Sequence, residues 1–112
     1  MMDETKLAGC KRTLIQAAKQ MAEEYSDAMK YADFAVEYKS VCPSAAAEWY
    51  KLSGDEMEHA EINSRIGQKV ISMVESEDSA AVADLRSMWE MAEELVSGLH
   101  EAVTKQRTAY VK

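Results

Sequence analysis

The stretch Ala46–Ile66, AAEWYKLSGDEMEHAEINSRI, decides how the rest of the chain is read. Within it, Glu56 and His59 stand three residues apart, which on a helix sets them nearly one above the other on one face. In that geometry a carboxylate oxygen and an imidazole nitrogen can bind the same metal ion or pair of ions. Steps of four and three along this segment trace an apolar seam through Ala45, Trp49, Leu52, Glu56, His59, Asn63, Ile66, Val70 and Met73. Glu56 and His59 are therefore expected on the buried stripe, among residues that face other helices. A buried carboxylate costs several kcal/mol unless it is neutralised, paired or bound to a cation, so its presence there requires a reason.

Upstream, Cys42-Pro43-Ser44 marks a break. Pro43 disfavours helical geometry at Cys42, and Ser44 is placed to cap the next helix. A first helix is expected from about residue 4, capped by Asp3 or Thr5, to residue 40 or 41. Its seam reads Leu7, Cys10, Leu14, Ala17, Met21, Glu24, Ala28, Tyr31, Ala35, Tyr38 and Cys42, apolar or aromatic everywhere except Glu24. The second helix is predicted over 44–75, with Gly54 and Gly67 inside it allowing close packing or a slight bend. Glu75–Ser79 is polar and forms the second turn, with Glu77, Asp78 or Ser79 capping a third helix over 79–109. The seam of that helix, Leu85, Trp89, Ala92, Val96, Leu99, Val103, Gln106 and Tyr110, carries no acid and no histidine. His100 shares another face with Glu93 as a solvated pair, so the third helix is expected to pack rather than to ligate.

A chain of 112 residues with one Pro and four Gly reads as a single helical domain, 1–112. No apolar run approaches the roughly 18 residues that span a bilayer, and MMDETKLAGCKR lacks an apolar signal core, so a cytoplasmic protein without a membrane segment is expected. A net charge of −7 argues against nucleic acid as a partner. Cys10 and Cys42 fall at opposite ends of one predicted helix, roughly 48 Å apart at about 1.5 Å per residue, far beyond disulfide reach. Both lie on the apolar stripe and read as small buried hydrophobes.

Three long helices with short turns predict an all-α, antiparallel up-down-up bundle. Reversal near Pro43 makes residues whose numbers sum to about 85 lie level on the first two helices. Glu24 then comes within about one turn of His59 and somewhat further from Glu56. Asp27 is more nearly level with His59 but one position off the seam, and Glu58 points away from it. Two carboxylates and an imidazole suit iron, manganese or zinc rather than copper(I) or a cluster.

In four-helix di-iron bundles two helices each give a Glu and the other two each give Glu-x-x-His. Glu24 with Glu56-Met57-Glu58-His59 resembles one half of that set. The run Asp55–Glu61, DEMEHAE, is similar to the second helix of the ferritin-like superfamily, which includes rubrerythrins, ferritins and the short encapsulated ferritins. The resemblance covers about residues 15–75, a ferritin-like hairpin. It implies Glu24 as the lone carboxylate, Glu56 as the bridging one, His59 as the terminal nitrogen ligand, and oxygen-dependent iron chemistry such as ferroxidase or peroxidase activity. The chain has no fourth helix and no second Glu-x-x-His, so a complete di-iron site calls for a homo-oligomer, a dimer or larger, each subunit giving Glu24, Glu56 and His59. The third helix would then cover an outer face or compete for the same one. Tyr25, Tyr31 and Tyr38 are candidates to line a redox site or to serve as core with wet hydroxyls. The alternative reading is a non-catalytic helical interaction module whose buried Glu and His cluster fixes register without metal. No Ser-His-Asp set, Gly-rich phosphate loop or zinc-finger Cys spacing supports a hydrolase or nucleotide reading.

Overall fold

Asp3 opens the first helix, its carboxylate accepting the Lys6 amide at 2.8 Å. In the computed structural model, which describes residues 1–112, α1 spans Glu4–Tyr38, α2 Pro43–Glu77 and α3 Val82–Val111. The chain is all-α, with its three helices where the sequence places them to within about three residues. Pro43 takes the first turn of α2, where a missing N–H is no loss. Ser44 is therefore inside the helix rather than capping it, and Cys42 holds the cap position without a side-chain bond. Asp78 organises the second turn. Its carboxylate accepts the Ala81 amide at 3.3 Å and the Met2 nitrogen at 3.2 Å, and Lys6 pairs with Glu77 at 2.8 Å. The turn is thereby tied to the start of α1.

Two 35-residue helices, each about 52 Å long, pack antiparallel into a rod of 59 × 19 × 16 Å, with α3 alongside. The radius of gyration, 17.4 Å, exceeds the about 13 Å of a globule of this length. Small residues hold the pair together from the middle of the rod to one end: Ala28, Ala32 and Ala35 of α1 against Ala46, Ser53 and Ala60 of α2, all fully buried. They let the backbones approach closely enough for the Ser53 hydroxyl to donate to the Ala28 carbonyl at 2.7 Å. Toward the other end the core is larger, built on Cys10, Leu14, Met21, Val74, Leu85 and Trp89.

The predicted seams keep their period and change their phase. On α1 the seam runs as expected through Met21, after which Tyr25 and Ala32 are buried in place of Glu24 and Tyr31. On α2 the buried positions are Ala46, Ser53, Ala60, Gly67 and Val74, each one residue past the predicted Ala45, Leu52, His59, Ile66 and Met73. Hydropathy ranks the Leu52 row above the Ser53 row. Close helix approach reverses that order, because only the small-residue row fits between the backbones, and Leu52, Ile66 and Met73 are left on the flank, 42%, 39% and 37% exposed. Cys42 likewise turns out exposed, while Cys10 is buried, and both are free thiols.

Helix α3 packs mainly on α1 and only lightly on α2. Its buried residues fall in two places, Val82, Leu85 and Trp89 near its start and Val103 near its end. Between them Met91 and Leu95 are 66% and 75% exposed. At the start, the Trp89 indole lies against Gly67. At the end, the Arg107 guanidinium sits 3.9 Å over the Tyr50 ring and donates to the Tyr50 carbonyl at 2.7 Å. Tyr110 stacks on Tyr50 at 4.5 Å and its carbonyl accepts from Lys39. No helix is long and apolar enough to cross a membrane.

Candidate metal centre

Glu24 projects from the middle of α1, Glu56 and His59 from the middle of α2, and the antiparallel register brings them together. One carboxylate oxygen from each Glu and one ring nitrogen of His59 all lie within 4.8 Å of one another. His59 Nδ1 is 3.5 Å from Glu56 Oε1 and 3.7 Å from Glu24 Oε2. No other group of three or more His, Cys, Asp or Glu side chains converges in this way. The expected convergence is therefore present, and the expected burial is not. The Glu24 and Glu56 side chains are 17% and 20% exposed, and that of His59 is 53% exposed. The one-residue change of phase on α2 explains this: Ala60 takes the buried position and His59 turns to the flank.

That flank is the one α3 leaves open. Contacts with α3 come from the other side of the hairpin, through Tyr25, Tyr50, Gly54 and Gly67. Of the rival acids, Asp27 lies 3.8 Å from Lys30 and Glu58 is exposed, and neither joins the cluster. Tyr25 is buried and meets His100 edge-on at 5.6 Å, its hydroxyl pushed up by burial and then by the charge of Glu61. It faces α3 and not the cluster. Tyr38 shares the open flank with Trp49 and Phe34, in ring contacts of 5.3 Å and 5.2 Å with the Trp49 indole. The sequence reading missed this aromatic ridge, although the levelling that pairs Glu24 with His59 also pairs Trp49 with Phe34 and Tyr38.

The carboxyl of Glu56 is pushed up to about 7, first by its hydrogen bond with Glu24, then by burial and by the Glu24 charge, with His59 opposing and Asp27 adding. Two carboxyls this close hold one proton between them rather than two full charges. A divalent cation removes the same repulsion. Bonds of about 2.0–2.2 Å to nitrogen and oxygen span up to about 4.4 Å across an ion, so the 4.8 Å spread closes with small side-chain rotations. His59, half in solvent, has the room to make them. The residues fit a borderline divalent metal, and three donors leave coordination positions open to further ligands. Comparison with protein-family models, with curated proteins and with solved structures gives no match for this chain.

Proposed function

We propose that the chain is a ferritin-like, iron-binding helical protein whose di-iron site is completed by a second copy, with ferroxidase-type oxidoreductase chemistry in a cytoplasmic setting. The observation that carries this reading is the meeting of one carboxylate from α1 with a Glu-x-x-His pair from α2, on the flank that α3 leaves free. Glu24 and Glu56 supply the negative charge that holds a cation, and His59 supplies an imidazole nitrogen beside them. Each of the three side chains neighbours the other two, and the bridging role of Glu56 rests on the resemblance alone. Iron, when bound, supplies redox chemistry with oxygen. The choice of iron over manganese or zinc rests on the resemblance, since these donors suit all three.

After anaerobic Fe(II) loading and desalting, the protein retains about one iron per chain, the content of a di-iron site shared by two copies. Glu24→Ala, Glu56→Ala and His59→Ala each lose that iron while keeping the helical circular dichroism of the parent. A wild-type protein that retains no metal would sink the iron reading. One observation favours a second reading: the Glu56 carboxyl is pushed up to about 7 by its neighbour Glu24, so a proton shared by the two carboxyls relieves their repulsion without metal. In that case the three residues fix helix register, and their substitution changes stability or assembly only.

A further inference from the structure

On the side of the hairpin that α3 covers, the three helices leave a cavity of about 210 Å³ near the middle of the rod. Met21 and Tyr25 of α1 form its floor, 1% and 7% exposed. Ser64 of α2 and Glu93 and Val96 of α3 are its half-buried walls. The exposed His100 stands at the rim, edge-on to the Tyr25 ring at 5.6 Å. Tyr25 is thus more than nine-tenths buried, yet its hydroxyl hydrogen-bonds to no group of the chain: burial and the charge of Glu61 are what act on it. That hydroxyl is not sealed in, as Trp89 Nε1 is, and so is open to the cavity. An unpaired hydroxyl in the interior is costly unless water or a ligand meets it. Glu93 lacks a partner too, since the ion pairs of the chain all lie elsewhere. No Lys or Arg lines the cavity.

We infer that this cavity binds a small primary ammonium compound with a short apolar group, its head held by the Glu93 carboxylate and the Tyr25 hydroxyl oxygen. The site is separate from the metal cluster, which lies on the opposite flank. Size sets the class of ligand: at about 30 Å³ per water, 210 Å³ is the share of about seven waters, so about that many heavy atoms fit. The free hydrogen-bonding positions set the head group. An ammonium brings three N–H donors and no acceptor, and what the cavity offers is acceptors. Besides Glu93 and Tyr25 there is Ser97, whose own hydrogen goes to the Glu94 carbonyl at 2.7 Å and leaves its oxygen free to accept. An anion would meet Glu93 and the charge of Glu61 with no counter-ion. Met21 and Val96 give the apolar group a wall to lie against. Access is open as well, because α3 buries no residue fully between Trp89 and Val103 and so is least held above the cavity. A ligand seated there ties α3 to α1 at mid-span.

The test is titration of the isotope-labelled full chain with benzylammonium, a probe of about the right size, followed by two-dimensional amide NMR. Saturable shifts are expected at the Tyr25, Ser64 and Val96 amides, with a dissociation constant of about 1 mM, as small ligands of this size reach. Benzyl alcohol, of the same shape without the charge, binds about tenfold more weakly, and benzoate does not bind. Glu93→Gln raises the dissociation constant about tenfold, and Tyr25→Phe, which keeps the ring, about threefold or more. Glu101→Gln removes the same charge from an exposed position of α3 and leaves binding unchanged. Saturating ligand also slows hydrogen exchange within Glu90–Ala102. Circular dichroism checks that each variant is folded, and the comparison of the three ligands on the wild type needs no variant. The inference is overturned by benzyl alcohol or benzoate binding as tightly as benzylammonium. It is overturned equally by Glu101→Gln weakening binding as much as Glu93→Gln, which would mean attraction to net charge alone, or by shifts centred on Glu24, Glu56 and His59. The absence of any saturable shift would overturn it too, and the cavity would then hold water only.

Discussion

Gly67→Ala unfolds about 5–15 °C below the wild type, whereas Gly98→Ala unfolds slightly above it. Both substitutions add one methyl group to a helix and both restrict the unfolded chain, which favours the folded state by about 0.5–1 kcal/mol. Surroundings decide the sign. Nothing lies within 4 Å of a Cβ built on Gly98, so the helical gain stands alone. A Cβ on Gly67 falls inside the van der Waals envelope of the Trp89 indole, and that ring is 3% exposed, with nowhere to move except off the core. Overpacking of this kind costs about 1–3 kcal/mol, enough to overcome the propensity gain. Differential scanning calorimetry of the two variants checks the opposite signs. A Gly67→Ala protein as stable as its parent would mean that Trp89 does not rest on α2.

The second large effect lies in pH. The folded carboxyl of Glu56 sits near 7, above its ordinary value of 4.5, so between those limits the folded state holds more protons than the unfolded one. Stability from this group is therefore fully present below about pH 4.5 and is lost as pH rises through about 7. The full shift corresponds to about 3 kcal/mol, and screening in an open groove reduces the expected loss to about 1–3 kcal/mol. Glu56→Gln keeps the shape and donates an amide N–H to Glu24 without a charge of its own. In metal-free protein the variant therefore gains on the wild type progressively from pH 5 to pH 8. Urea unfolding at several pH values measures the difference. Parallel curves for the two proteins would show that Glu24 and Glu56 hold no common proton.

The helices were legible because their signals are local and redundant: Pro43 ends one apolar repeat and starts the next, and Asp78 interrupts the second. Phase was not. Leu52 outranks Ser53 as a core residue on any scale of hydrophobicity, yet the distance between two closely packed backbones is a property of both helices at once. Only facing Ala28 does Ser53 become the better interior residue. The convergence of Glu24 with Glu56 and His59 survived that error because it depends on level along the rod, and a slip of one residue moves a side chain only about 1.5 Å along the axis. Its burial did not survive, because the same slip rotates a side chain by about 100°. The flank chosen by α3 was also hidden. An apolar seam says that a helix packs, while the choice between two grooves turns on single fits such as Trp89 on Gly67 and Arg107 on Tyr50.

Helices in most bundles fray from their tips inward, and the attachment of α3 reverses that order. It is fastened by Trp89 at one end and by Val103 and Arg107 at the other, while between them Ala92 and Val96 pack half-buried on the core and His100 meets Tyr25 edge-on, with no residue there fully covered. Opening of a segment costs least where few apolar contacts must be broken. Residue-resolved hydrogen exchange should therefore show its fastest α3 amides within Glu90–Ala102, with Val82–Trp89 and Val103–Arg107 slower on both sides. The helix behaves as a span slung between two piers, able to bow outward at its centre while the α1–α2 hairpin beneath it stays closed.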